Sequence, residues 1–215
     1  MSYIAERRVE EKERRRGEIT DAAERLYAEH GWDAVTMDQV AKSARLSRAL
    51  VYVYFRDKEE LLFAISERAM RVLRERFTEA ALRHVRGIDQ IHAIGRAYMA
   101  YAHEFPHYFD ACARFQAHSV APDAGSNEGA CRIAGDRAIA VVVEAIAKGI
   151  GDGSVRADIG PPMLVAVSMW AFTHGIIQLA MAKGADLAHL GIAPDDFGEF
   201  AFGLVHDMAV PRPAG

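Results

Sequence analysis

Cysteine is scarce in this chain: Cys112 and Cys131 are the only two in 215 residues. A pair so far apart makes neither a disulfide framework nor a CxxC redox or metal knuckle, so both are expected to be reduced thiols. A strong excess of one charge is also missing. The 26 Lys and Arg against 30 Asp and Glu leave a formal net charge of −4, and that total does not single out nucleic acid as a partner. No apolar run reaches the length expected of a bilayer-crossing helix and no export signal opens the sequence, which together predict a cytoplasmic protein with no membrane partner. Nucleophile elbows of the G-x-S-x-G kind and phosphate loops ending in GK[ST] are absent as well. GIGDG at 149–153 has no strand before it and reads as a helix stop between helices 7 and 8.

What remains is helical. Apolar residues recur at helical spacing from Ile19 through Ala22, Ala23, Leu26 and Tyr27, and similar stripes continue to the end, with no sustained period-two run. Glycine and proline punctuate the pattern and divide the chain into about nine helices, so the fold class is all-α. The stretch at 121–129, APDAGSNEG, is too polar and too rich in turn residues to be expected in a helix.

The first sixty residues are the most informative. Helix 1 is expected from about residue 7 or 17 to His30, closed by a left-handed Gly31. Thr36-Met37-Asp38-Gln39 has the spacing of a capping box and opens a two-turn helix 2. Ser47 is a second N-cap candidate, opening helix 3 as SRALVYVYF, and Asp57-Lys58-Glu59-Glu60 opens a long helix 4 that is expected to run through Val85. Two short helices joined by a short turn and braced by a third describe a helix-turn-helix, whose second helix lies in the major groove. Arg48 would stand near the start of that helix, suited to a guanine edge, with Tyr52 and Tyr54 further along and Lys58 at a helix N-terminus suited to a phosphate. A plain helical bundle with an aromatic-rich turn is the alternative. Residues 1–16 carry six cations (Arg7, Arg8, Lys12, Arg14, Arg15, Arg16) and four acids, a local charge of +2. They form either a solvated extension laced with pairs such as Glu10 with Arg14, or an arm that contacts phosphate.

HEFPH at 103–107 fits the H-E-x-x-H pattern of zinc hydrolases, and a metal-dependent hydrolase is the competing functional class. The pattern works only on an unbroken helix, where both imidazoles meet one metal. Pro106 lacks an amide hydrogen and pushes Phe105 out of helical geometry. A helix is therefore expected to end near Glu104 and restart near His107, and neither metal nor cofactor is expected.

From Ile19 to Leu62 the chain sets out, in order, Ile19, Asp21-Ala22-Ala23, Leu26-Tyr27, Gly31-Trp32, Thr36, Val40-Ala41, Ala44, Ser47, Tyr52, Tyr54-Phe55, Lys58 and Leu61. In that order these residues resemble the N-terminal domain of the TetR family of bacterial transcriptional regulators. The resemblance implies a homodimeric repressor on a near-palindromic double-stranded operator, with residues 1–62 as arm and DNA-binding domain and 63–215 as effector-binding and dimerisation domain. It carries Thr36, Ser47, Tyr52, Tyr54 and Lys58 over as DNA contacts; Arg45 and Arg48 join them on charge alone. Arg45 departs from the family, which usually has Gly in the turn, so it must tolerate or avoid a left-handed backbone. Ala49-Leu50-Val51 is a second departure. Both motivate a third reading, a dimeric small-molecule binder without operator specificity.

Trp170 to Leu179 resembles the W-x-x-x-H-G helix of the family's effector domains, usually the first of two dimerisation helices. That implies a dimer through helices at about 162–183 and 195–210, with Ala171, Gly175 and Ala180 permitting close approach; an internal core is the other reading. By the same resemblance a small hydrophobic or amphipathic effector enters between helices 5, 6 and 8, near Tyr101, Phe105, Phe109, Phe115, His118, Trp170 and His174.

Overall fold

The computed structural model describes residues 3–115 and 123–211; His118 lies outside them. Nine α-helices and no strand occur among the described residues. They are α1 (Tyr3–His30), α2 (Met37–Ser43), α3 (Arg48–Tyr54), α4 (Lys58–Leu82), α5 (Gly87–Glu104), α6 (Pro106–Arg114), α7 (Asn127–Gly151), α8 (Pro162–His189) and α9 (Pro194–Ala209). A 3-10 turn, Trp32–Ala34, joins α1 to α2. The chain forms two compact units, Met1–Met70 with Phe105–Ile133 and Arg71–Glu104 with Ala134–Gly215.

In the first unit the α1 stripe Ile19, Ala22, Ala23 and Tyr27 is buried with Val40 and Ala41 of α2, Val51 of α3, Phe55, and Leu61 and Ile65 of α4. Local chemistry sets the helix ends. Both halves of the α2 capping box form: Gln39 N–H donates to Thr36 Oγ1 at 3.3 Å and Thr36 N–H to Gln39 Oε1 at 2.8 Å. Ser47 Oγ accepts from Leu50 N–H at 3.2 Å to start α3. Asp57 Oδ1 accepts from Glu60 N–H at 2.8 Å, while Glu60 Oε2 accepts from Arg56 N–H at 2.8 Å, to start α4. Each cap satisfies amides that a helix end otherwise leaves unbonded.

Several expectations are corrected. Helix α1 starts at Tyr3, earlier than residue 7 or 17, because the Glu and Arg residues of the first sixteen pair within it; Arg14 reaches Glu11 and Glu18. Gly31 has φ 78 with ψ 153, an extended rather than left-handed pairing of angles that only glycine adopts readily. Helix α4 stops at Leu82 instead of Val85, and both of those side chains are exposed. Of the stretch expected to be non-helical, Asn127, Glu128 and Gly129 form the first turn of α7. Ser126 caps it by accepting from Gly129 N–H at 3.0 Å, and a Cβ at Gly129 would sit 2.0 Å from Asp123 O.

In the second unit α5 packs against α8 and α9, and α8 against α9. The turn after α7, where a helix stop was expected, also anchors the start of α5. Asp152 accepts from Gly87 N–H at 2.8 Å, and Ser154 Oγ from Ile88 N–H at 3.1 Å. α8 overturns one reading of the sequence: it holds no Asp, Glu, Lys or Arg from Pro162 to Ala182, and its mean hydropathy of 1.5 makes it long and apolar enough to cross a membrane by length and composition. Ser168, Thr173, His174 and Gln178 interrupt the apolar letters and hide the run. Only 11% of its most apolar window is buried.

Candidate nucleic-acid interface and effector site

The turn between α2 and α3 is a Schellman closure. Leu46 N–H donates to Ala41 O at 2.9 Å across Arg45, whose φ is 57. Arg45 thus tolerates the left-handed backbone that glycine would take without strain, and its side chain is exposed. Ser47, Arg48, Ala49, Tyr52 and Val53 are also exposed, whereas Val51 is buried beneath them. One face of α3 is therefore core and the other is available to a groove. Arg48 Nε lies 3.1 Å from Asp38 Oδ1 on α2, and its guanidinium sits 5.5 Å from the Tyr52 ring centroid. The pairing with Asp38 and Tyr52 fixes where the donor fork stands.

Thr36 and Ser47 are exposed but already serve as helix caps. Tyr54 is half-buried at the end of α3. Lys58 is more committed than a surface phosphate ligand: its Nζ donates to Trp32 O at 2.5 Å and lies 4.8 Å from the Trp32 ring centroid. Burial holds its ammonium below the usual lysine range, with Asp33 opposing that shift.

Helix α6 ties into the same unit. Tyr27 Oη donates to Asp110 at 2.6 Å, Arg114 bridges Asp110 (2.7 Å) and Asp33 (3.0 Å), and Tyr108 Oη donates to Glu24 at 2.7 Å. Burial, then the Asp110 hydrogen bond, raises the Tyr27 phenol well above its ordinary pKa, so it stays a donor.

The helix break at HEFPH has the expected form. α5 ends at Glu104, Phe105 has φ −128 and ψ 64, and α6 starts at Pro106, one residue before the expected His107. The unbroken turn that a zinc pair needs is not there. His107 instead packs against Tyr108 (centroids 4.5 Å apart) and Tyr27 (6.2 Å), and burial lowers its pKa.

The aromatic candidates fall into two groups. In the second unit Tyr98 is the hub: its Oη lies 2.8 Å from His174 Nδ1, and Phe77, Tyr101 and His174 surround its ring. Trp170 lies 6.2 Å from His174, ring to ring, but is 48% exposed. Burial depresses the His174 pKa, which favours a neutral imidazole. A cleft with only about 10 Å³ of internal room, the space of one water, also opens here, lined by Met99, Phe172, Thr173, Ile176 and Phe202. In the first unit Phe109 is buried, Phe115 meets Phe63 edge-on at 5.7 Å, and Phe105 lies 5.7 Å from Tyr108.

Asp38 is the residue that sequence reasoning missed. Asp38 sits inside the capping box, a local signal that hides its bond to a residue ten positions on. Among the described residues no cluster of three His, Cys, Asp or Glu side chains is poised to hold a metal.

Residues 19–65 match the family described as bacterial regulatory proteins, tetR family, and residues 91–202 match the tetracyclin repressor-like C-terminal domain. The regulator HbdR of Aromatoleum sp. (strain CIB) is 43% identical over 51 residues, which are 24% of this chain and 22% of that protein. The chain therefore aligns with under a quarter of that relative's length. A protein of unknown function from Rhodococcus sp. RHA1 superposes with a TM-score of 0.74 at 22% identity, covering 92% of this chain and 96% of the other. The ketosteroid transcriptional regulator KstR2 of Mycobacterium tuberculosis gives 0.65 at 17% identity, with 92% and 96% covered. At these identities the two structures speak for the fold alone. Proteins of this kind bind DNA operators and small-molecule effectors, typically as dimers, and are generally not enzymes. With an N-terminal match over the helix-turn-helix and a second match that spans more than half of the sequence, this chain belongs to the TetR family of bacterial transcriptional regulators.

Proposed function

We propose that the chain is a ligand-responsive DNA-binding regulator, a repressor released from a near-palindromic operator by a small hydrophobic or amphipathic molecule. The observation that carries this reading is the outer face of α3, where Arg48 is oriented by Asp38 above a buried Val51. An arginine fork held in this way suits the two acceptors of a guanine edge. Thr36, Arg45, Ser47, Tyr52, Tyr54 and Lys58 surround it as backbone or groove contacts, with the DNA-binding domain ending near residue 62.

The dimer is assigned to α8 and α9. Leu164, Val167 and Leu179 on α8, and Phe200, Leu204 and Met208 on α9, are exposed apolar side chains, more than a soluble monomer keeps on adjoining helices. Gly175 and Gly203 have open space where a Cβ would stand, so packing within this chain does not require glycine at either position. A symmetry mate pressed against these helices accounts for both facts. Of the second helix's apolar residues, Ala201 and Val205 face inward and Phe200 and Leu204 outward.

In the effector region the Tyr98–His174 couple supplies a neutral donor and acceptor among aromatic walls, which suits an apolar molecule with one polar end. Its binding would favour a dimer whose two recognition helices no longer match major grooves about 34–36 Å apart. Selection by the full-length chain from a random duplex pool tests the reading. An enriched inverted repeat that shifts in gels with marked salt dependence is expected, and no sequence preference over random DNA at moderate salt overturns it.

A further inference from the structure

Residues 3–16 are a densely charged segment that the helix-turn-helix leaves unused. They belong to the uninterrupted helix α1, and the part before Ile19 extends for about 24 Å at 1.5 Å per residue. The charges are sorted by face. Arg8, Lys12, Arg15 and Arg16 stand at i, i+4, i+7 and i+8, on one side of the helix. Glu6, Glu10 and Glu13 stand at i, i+4 and i+7 on the opposite side. The basic stripe is in register with Ile19, Ala22, Ala23 and Leu26, the stripe that packs onto the helix-turn-helix. One face of α1 is therefore apolar where it meets its own domain and cationic where it runs past it.

Two further observations fix what that face meets. The Arg16 guanidinium lies 4.7 Å from the ring centroid of Phe55, the residue that closes α3, so the stripe begins beside the C-terminal end of the recognition helix. Glu11 and Glu18 engage Arg14 and Arg15, whereas Arg8 and Lys12 form no ion pair among the described residues.

We propose that this face of α1 is a second DNA contact, in which Arg8, Lys12 and Arg16 bind phosphates of the duplex flanking the half-site without reading its bases. The proposal rests on the DNA-binding reading above. Charge complementarity and continuity with the α3 surface identify the occupant as duplex backbone, and the acidic opposite face sets which side turns toward it.

The test uses full-length wild type, Arg8→Gln/Lys12→Gln, the charge-conserving Arg8→Lys/Lys12→Arg, and Arg7→Gln/Arg14→Gln as a control on another face. Binding is followed by fluorescence anisotropy across a salt series on two duplexes carrying the selected site, one ending at the half-sites and one extended by ten base pairs on each side. Wild type is expected to bind the extended duplex more tightly, with a steeper salt dependence. Arg8→Gln/Lys12→Gln is expected to lose that gain, lowering the log–log salt slope by about 0.9 for each phosphate contact removed. The charge-conserving variant should keep the slope and the control should change it little. Equal slopes for wild type and Arg8→Gln/Lys12→Gln on the extended duplex overturn the arm contact while leaving operator recognition standing, as does an equal loss in the control. If selection yields no preferred site, operator recognition fails instead; the same slopes on a random-sequence duplex then decide the arm.

Discussion

Asp38 on α2 holds Arg48 on α3 at 3.1 Å, across the turn that joins the two helices. Both side chains are more than half exposed, so the bond adds little to stability. Its effect is on direction, since a guanidinium restrained before binding loses less freedom on meeting a base.

Arg48→Ala should therefore lower discrimination at one operator base pair by roughly ten- to a hundredfold while leaving other positions alone. Asp38→Ala should relax preference at that same position by a smaller factor. Binding to a panel of single-base operator variants checks both. Unchanged preference in Arg48→Ala removes this residue from the readout, and tighter binding by Asp38→Ala would mean that the acid restrains Arg48 away from DNA.

Arg45 has a left-handed backbone without being glycine. Replacing it with Gly should relieve strain and raise stability by up to about 1 kcal/mol, less whatever freedom glycine adds to the unfolded chain. Affinity for DNA should fall in the same variant if the guanidinium meets a phosphate. Urea midpoints and anisotropy separate the two effects.

Three half-buried histidines, His92, His107 and His174, have pKa values lowered first by burial. In the unfolded chain each titrates near its ordinary value, about 6.5. Above that pH both states hold them neutral and their contribution is fully present. As pH falls through 6.5 toward the lower folded values the unfolded state gains protons first, and stability drops. Thermal midpoints should fall from pH 7 to pH 5, and His174→Gln should flatten part of that fall. A midpoint that rises on acidification would contradict the assignment.

Phe200→Glu on α9 and Gly175→Leu on α8 should each turn a dimer into a monomer, because both change surfaces that are open in the single chain. Light scattering after gel filtration reads the mass, and circular dichroism should show the helices intact. A dimer that survives both changes moves the interface elsewhere.

How much was legible follows from how local each signal is. Thr36 with Gln39, Ser47 with Leu50 and Pro106 after Phe105 act over one helical turn, and each produced the helix end expected of it. The bond of Arg48 to Asp38, the turning of Lys58 toward Trp32 O and the centring of Tyr98 on His174 bring together residues from different helices. No spacing rule carries such pairs. The reach of α1 back to Tyr3 was left open because its charges pair and repel by turns, and the apolar length of α8 was masked by its Ser, Thr, His and Gln. The capping of α7 by Ser126 was hidden among turn residues, where it looks like any other loop serine.

The anchoring of α5 by Asp152 and Ser154 has a consequence for synthesis. The amides of Gly87 and Ile88 find their partners 65 and 66 residues later. During translation those amides have only water until the chain has emerged beyond Ser154, so the start of α5 stays frayed while the N-terminal helices can already pack. The order in which the ribosome releases the chain thus favours early packing of α1 to α4 and delays the completion of α5.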